Sequence, residues 1–316
     1  YRLQEMRPCD FNNMRLIFGE ADQLPGFTVD RFEDILSVQI LSLGMELRKK
    51  SIINSLIEVL RERKLSVSCV YERNDVKIRE LEGISLYKGF FKSPLLKEKE
   101  QKTIAHIVEN GITYNVDVEN GQKTGFFLDQ KFNRLAVGQI AKGKHVLDCF
   151  THTGAFALNA AKGGAASVTA VDISEDAVTM TQHNAVQNTC KIDVVKADVF
   201  DYLVTLDKTH NHFFDYIILD PPAFSKSRQT IHEAFRGYKE INYRAMKVLP
   251  RGGYLATCSC SHFMSEELFI KMLKEAARDA GVTLKQIAAR QQAPDHPIIM
   301  TIPETYYLKF FLFQIV

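Results

Sequence analysis

The chain has 316 residues, 46% of them hydrophobic and 25% charged, with a formal net charge of +2. These are the proportions of an ordinary globular protein, long enough for about two domains. No apolar run approaches the ~20 residues of a membrane-spanning helix, and no signal peptide is visible. A charge this near zero points neither toward nucleic acid nor away from it, since a basic patch is a local property. The six cysteines (Cys9, Cys69, Cys149, Cys190, Cys258, Cys260) are few and irregularly spaced. They do not form a disulfide scaffold and suggest a reduced, cytoplasmic protein. The chain begins at Tyr1 rather than Met, as a fragment or a trimmed chain would.

In chain order, "GFTVDRFEDILSVQIL" reads as two short β runs joined by a polar turn from Asp30 to Asp34. The segment Glu46 to Lys64 follows, with Leu47, Ile52, Ile53, Leu56, Val59 and Leu60 at the spacing of one helical face. "VSCVYERNDVKIRE" returns to strand-like content. This half, 1–113, is expected to be a small α+β module, and 114–316 a second domain.

From "HVLDCF" onward the pattern is strand, turn, helix, repeated. The runs "HVLDCF", "SVTAVD", "DVVKAD" and "DYIILD" carry Asp148, Asp172, Asp198 and Asp220 at or near their ends, at intervals of 24, 26 and 22 residues. Helical segments at Ser174–Gln187 and His232–Leu249 lie among them, "GGYLATCS" is the next apolar run, and "YYLKFFLF" closes the series as an expected antiparallel strand. Such alternation predicts an α/β fold with a mostly parallel, Rossmann-like sheet covered on both faces.

Ligands of open α/β sheets bind beyond the carboxyl ends of the strands. A single Asp there would as readily cap the next helix. Four at matching positions favour a ligand rich in hydroxyl and amine donors. The first turn, "DCFTHTGAF", has one glycine, Gly154, and not the three of a dinucleotide fingerprint. An adenosyl ligand without phosphates fits better, with Asp172 accepting from ribose hydroxyls and Asp198 from the adenine amine. "DPPAF" holds a rigid extended loop in which Asp220 is aimed outward and Phe224 offers a stacking face, or else a core ring. "TCSCSH" allows three readings for Cys258, Cys260 and His262: a metal-binding face, a nucleophile, or buried core. A structural zinc site wants a fourth ligand, and no second C-x-x-C pair exists.

"VLDCFTHTGAF", "VDIS", "DPPAFSKS" and "TCSCS", in that order, resemble a class I S-adenosylmethionine-dependent RNA methyltransferase. The likeness is to the bacterial family that makes 5-methylcytosine in large-subunit ribosomal RNA. "GEADQLPGFTVDRF", "GQKTGFFLDQKFNR", "FRGYKEIN" and "DHPIIMTIPE" extend it over nearly the whole chain. Members typically carry an N-terminal PUA domain, then a central α+β module, then the methyltransferase fold. This chain opens near the start of the central module, so the PUA domain is expected to be missing from it.

The resemblance implies that 1–113 is an accessory RNA-binding module and 114–316 the methyltransferase domain. It implies S-adenosylmethionine as cofactor, lined by Gln130, Arg134, Asp148, Phe150, Thr153, Gly154, Asp172, Ile173, Asp198, Asp220 and Pro221. Pro222, Phe224, Lys226 and Arg236 would meet the substrate, and no metal is implied. Cys260 would be the nucleophile and Asp220 would stabilise charge on the base, while Cys258 would pack. Lys226, Arg228, Arg236 and Lys239 would contact phosphates or simply face solvent. His296 would sit in a rigid loop, and His152 is given no role.

The expected partner is RNA, large-subunit ribosomal RNA in particular, with no membrane and with a homodimer left open. Two other functions stay in view: a base N-methyltransferase that uses the Asp-Pro-Pro-Ala-Phe loop without a cysteine, and a non-catalytic RNA-binding protein on this fold.

Overall fold

The computed structural model describes residues 1–209, 212–224 and 228–316, and these form two compact units. One holds Tyr1–Lys131 with Ala293–Thr305, the other Phe132–Gln292 with Tyr306–Val316. The boundary expected after residue 113 falls inside a strand of the first unit, Ile112–Asp117.

The first unit contains the single turn α1 (Arg2–Glu5), β1 (Asn13–Phe18), β2 (Phe27–Phe32), β3 (Ile35–Ile40), α2 (Leu43–Glu62), β4 (Cys69–Asn74), β5 (Tyr87–Phe90), β6 (Ile104–Glu109) and β7 (Ile112–Asp117). The first five strands form one sheet in sequence order. Only β3 and β4 run parallel, because α2 carries the chain back between them. The inward stripe of α2 is Ile53, Ile57 and Leu60. Leu47 and Val59, expected on the buried face, are 75% and 50% exposed, because the buried stripe runs through Ile57 instead. The strand-like reading of Val67–Glu80 holds only through Asn74; a 3-10 helix follows at Lys77–Glu82. β6 and β7 form a separate hairpin turning at Asn110 and Gly111, both at positive φ.

The second unit runs α3 (Lys131–Ile140), β8 (His145–Cys149), α4 (Ala155–Lys162), β9 (Ser167–Asp172), α5 (Glu175–Gln187), β10 (Asp193–Lys196), α6 (Val199–Lys208), β11 (Tyr216–Leu219), α7 (Ile231–Val248), β12 (Tyr254–Ser259), α8 (Glu266–Ala280), β13 (Leu284–Arg290) and β14 (Lys309–Ile315). Its strand order is β10-β9-β8-β11-β12-β14-β13. Strands β8 to β12 are mutually parallel, and the last strand, β14, is antiparallel to both its neighbours. From β8 the chain winds outward to β9 and β10, then returns to lay β11 on the other side. β8 and β11 therefore flank the topological switch point.

Alternate residues of the central strands serve opposite faces. Leu147, Cys149, Ile217, Leu219 and Leu255 pack with Leu203, Tyr238, Ile241, Phe269 and Met272 of α6, α7 and α8. Val146, Ile218, Ala256 and Cys258 pack with Val137, Phe156 and Ala160 of α3 and α4. Each such side chain contributes roughly 1.5–3 kcal/mol when fully buried. Among the described residues no helix is long and apolar enough to cross a membrane.

The pair α3 and α4 comes unusually close. A Cβ on Gly163, at the end of α4, would stand 2.0 Å from the carbonyl oxygen of Gly138 on α3. The φ of Gly163 is ordinary, −71°, so the constraint is steric and not conformational. Gly163→Ala is therefore expected to cost about 1–3 kcal/mol by overpacking. Urea unfolding at fixed pH checks this, with Gly143→Ala, at a glycine with open space around it, as the strain-only control.

Candidate active site

The carboxyl ends of β8, β9 and β11 lie within one residue of level, and β12 runs two residues further, to Ser259. Cys149 pairs with Val171 on one side and Leu219 on the other, and Leu219 pairs with Thr257. Phe150, Asp172 and Asp220 therefore lie abreast where the sheet ends, level with Cys258, which is still inside β12.

The turn after β8 is bent hard. Phe150, His152 and Gly154 have φ of 63°, 53° and 77°. Side chains rarely adopt this region, and bulky ones least of all. At Gly154 a Cβ would lie 2.7 Å from Thr181 Cγ2, so only glycine fits. Several bonds hold the turn. Asp148 Oδ2 accepts from Thr151 Oγ1 (2.6 Å) and from the Ala157 amide (3.0 Å). Asp172 Oδ2 accepts from the His152 amide at 2.9 Å. From α5, Thr181 Oγ1 donates to the His152 carbonyl (3.1 Å) and Asn184 Nδ2 to that of Thr153 (2.9 Å). The Thr153 side chain is half-buried.

Asp148 is 1% exposed, and burial pushes its carboxyl up to about 7. Bonds from Thr151 and Ala157 oppose the rise, while Asp220 and Asp172 add to it. Its Oδ1 is buried without a hydrogen-bond partner among the described residues. His152, given no role from sequence, has its imidazole pushed down by burial, with Asp172 opposing and Arg134 adding. Arg134, on α3, thus acts electrostatically on this turn and is 2% exposed. Gln130 belongs to the first unit, where it is buried in the 3-10 turn Leu128–Gln130. The "TGFFLDQKFNR" segment is therefore divided between the two units.

The helix-capping alternative for the aspartates is realised at two of them. Asp198 Oδ1 caps α6, accepting from Phe200 (2.8 Å) and Asp201 (3.4 Å) amides. Asp172 Oδ1 accepts from Ser174 N at 3.0 Å. Each carboxylate keeps further lone pairs for a ligand. Ile173, next to Asp172, is 64% exposed.

Beyond β11, Asp220 is half-buried, Pro221 buried and Pro222 exposed. Phe224 is not an isolated stacking platform. It sits 4.7 Å from the Tyr238 ring, 6.1 Å from Phe200 and 6.5 Å from Phe150, seated over Gly237 of α7. It remains half-exposed within that aromatic cluster. Lys226 lies outside the described residues. Arg236 is exposed on α7. Lys239 is engaged elsewhere, 2.7 Å from Asp279 and 3.6 Å from Glu275 of α8. His296 is in the first unit, its Nδ1 2.8 Å from Asp295 Oδ1, so it serves that loop.

β12 ends at Ser259, so the common face suggested for Cys258, Cys260 and His262 does not persist. Cys258 is 0% exposed in the core against α3 and α4. Cys260 lies beyond the strand, half-buried. His262 is exposed, its ring 3.8 Å from that of Phe263. Two neighbours of Cys260 were not anticipated. Tyr238 meets Ser259 Oγ at 3.1 Å, and its phenol is pushed up by burial, with Cys260 and Asp220 adding. Lys309 is buried one residue away on either side: it pairs in register with Ser259 and donates to the Ser261 carbonyl. The signal was a lone lysine inside the apolar run "YYLKFFLF".

Residues 94–314 match the S-adenosylmethionine-dependent methyltransferase family. The chain is 40% identical over 305 residues to ribosomal RNA large subunit methyltransferase I of Escherichia coli (strain SMS-3-5 / SECEC), covering 95% of this chain and 74% of that protein. It is 43% identical over 307 residues to the protein of the same name from Shewanella amazonensis, covering 96% and 75%. A solved structure from Streptococcus mutans, described as a SAM-dependent methyltransferase, shares the fold with TM-score 0.79 and 24% identity over 96% of this chain and 75% of that one. A structure described as a methyltransferase complexed with SAH shares it at TM-score 0.80 and 24% identity, over the same shares of the two chains. The chain belongs to the S-adenosylmethionine-dependent methyltransferase family and is a homologue of ribosomal RNA large subunit methyltransferase I.

Proposed function

We propose that this protein methylates carbon 5 of a cytosine in large-subunit ribosomal RNA, through a covalent adduct on Cys260. The relatives' name supports the RNA class. The observation that best supports the chemistry is the half-buried thiol of Cys260 just beyond β12, beside the strand that delivers Asp220. In this reading the first unit is an accessory RNA-binding module. The reaction belongs to the cytoplasm, where thiols stay reduced.

S-adenosylmethionine supplies an electrophilic methyl group on a sulfonium. Carbon 5 of cytosine is too weak a nucleophile to take it unaided. The Cys260 thiolate adds to carbon 6, which makes carbon 5 enamine-like. Asp220, carrying a proton, donates it to or shares it with ring nitrogen 3 and so stabilises the negative charge that develops there. After methyl transfer a base removes the carbon 5 proton and the thiolate leaves. The target base must be splayed from any helix, so unpaired RNA is the substrate.

The residues at the edge suit this cofactor. Gly154 lets the turn pack against Thr181, Asp172 and Asp198 keep acceptors for ribose and adenine, and the unpartnered Asp148 Oδ1 is a further acceptor for a donor-rich, cationic ligand. Phe150, Thr153, Ile173 and Pro221 complete the proposed lining, with Arg134 as a further contact. Pro222, Phe224 and Arg236 are proposed to face the RNA.

Cys260→Ala is expected to abolish methyl transfer while S-adenosylmethionine binding, followed by calorimetry, persists. RNA carrying 5-fluorocytosine at the target should trap a complex through Cys260, seen as a mass shift on the Cys260 peptide. An active enzyme that forms no adduct, or an active Cys260→Ala variant, points instead to N-methylation. Cys258→Ser should leave activity near wild type, since that sulfur lies in the core.

Asp148 gives a pH test. Its folded-state carboxyl titrates near 7, above the ordinary carboxylate value, so between roughly pH 4 and 7 the folded state holds a proton the unfolded state has released. Its contribution to stability therefore falls as pH rises through that window and is flat above it. The His152 shift slopes the other way, because a depressed imidazole favours the folded state as pH rises. Comparing wild type with Asp148→Asn isolates the first effect. The wild-type protein should lose on the order of a few kcal/mol relative to the variant between pH 5 and 7.5, measured by urea unfolding.

A further inference from the structure

We propose that Lys309 is the positioning residue for Cys260: its buried ammonium fixes the bend at Ser259–Ser261 and holds the Cys260 sulfur in the thiolate form. The proposal rests on Cys260 being the reactive thiol.

The geometry is specific. Lys309 opens β14 directly opposite Ser259, the last residue of β12. Its Nζ donates to the Ser261 carbonyl at 2.6 Å and to the Tyr307 carbonyl at 2.9 Å. It is thus bonded to the residue after Cys260 and paired in register with the residue before it. The side chain is 1% exposed. Lysine is almost never buried to this degree unless paired, because removing an ammonium from water is costly. Both acceptors are neutral carbonyls, and an ammonium has three N–H donors. Among the described residues no carboxylate comes within ion-pair distance of it. Glu266 acts on Lys309 from α8, but its Oε2 is already taken by the Tyr306 hydroxyl. Of the two groups that favour the Lys309 ammonium, Cys260 acts the more strongly and Glu266 the less.

Groups on α7 and α8 act on this pair. Lys309 is faced by Cys260, by Glu266 and by the Tyr306 ring, 5.8 Å from Nζ. Cys260 is faced by Lys309 and, from α7, by Tyr238, which also senses Asp220. Burial pushes the Lys309 ammonium down to about 8, with Cys260 and Glu266 opposing. The charge that would favour a thiolate is therefore present at neutral pH and fades as pH rises through 8. A cation beside a cysteine is a recognised route to an activated thiol. A purely structural lysine, present only to tie two carbonyls, would hold the bend without changing how readily the sulfur reacts.

The test reads the sulfur directly. Full-length Lys309→Met keeps the apolar stem and removes the charge. Iodoacetamide labelling of Cys260, quantified by peptide mass spectrometry across pH 6 to 9, is expected to slow about tenfold at pH 7, which corresponds to one pH unit in the thiolate profile. Exposed Cys9 serves as the internal control and should not change. Retained S-adenosylmethionine binding by calorimetry reports that the variant is folded. An unchanged Cys260 profile in the folded variant overturns the proposal. If the variant does not fold, the wild-type protein decides: Cys260 must label with a lower pH midpoint than Cys9, and an equal or higher midpoint overturns the proposal. The 5-fluorocytosine adduct on wild-type protein separates the two ideas. An adduct with no Lys309 effect refutes the positioning role alone. A Lys309 effect without an adduct supports the positioning role and refutes Cys260 as nucleophile.

Discussion

The level register of β8 with β9 and β11 is the constraint on which the candidate site depends. Cys149 is paired on both sides, with Val171 and Leu219, so the chain leaves three strands at one height. The reversal of winding at β8 opens the crevice there. A slip of one residue in either pairing would invert which side chains face each helix layer. Asp148 would then no longer lie beneath the turn, nor Asp220 abreast of Phe150. The apolar alternation through Leu147, Cys149, Ile217 and Leu219 against α6, α7 and α8 makes that slip costly. Core packing thus sets the chemistry indirectly, by fixing register.

The edge combines buried groups of opposite sign. Asp148 is pushed up and Lys309 is pushed down, each by burial toward its neutral form. Both end near neutrality, about 7 and about 8, where small changes in surroundings alter charge. A ligand carrying positive charge would favour ionised Asp148, and an anionic sulfur favours the Lys309 ammonium. Each buried group is therefore coupled to the species proposed to bind or react next to it.

Much of the second unit was legible because its strands are short apolar runs whose last residues break the pattern with an acid. That rule located β8 through β11 to within two residues, and the apolar run alone located β12. It could not separate helix capping from the adenine contact expected at Asp198, because a capping carboxylate and a ligand carboxylate look alike in sequence. The α2 stripe was misplaced by Leu47 and Val59, since several apolar residues on one helix fit more than one face. The β6–β7 hairpin went unread although Asn110-Gly111 between apolar runs carries a strong turn signal. The lone lysine of "YYLKFFLF" stands out in sequence, but what Lys309 touches was illegible for a deeper reason. Its partner Ser261 is 48 residues away in sequence, and only the antiparallel register of β14 on β12 brings the two together.

Capping and ligand binding need not compete at the aspartates. Phe150 and His152 sit in a backbone region that costs of order 1–3 kcal/mol each, so something must hold them there. Asp172 does so at the His152 amide and Asp148 through Thr151 and Ala157. Each uses some of its lone pairs on the turn, and lone pairs remain at the same height for a ligand. The bonds that keep the strained turn in shape thereby also fix the direction of the remaining acceptors. A carboxylate that did only one of these tasks would leave either the turn or the ligand unconstrained. Serving both is what makes the position of one depend on the other.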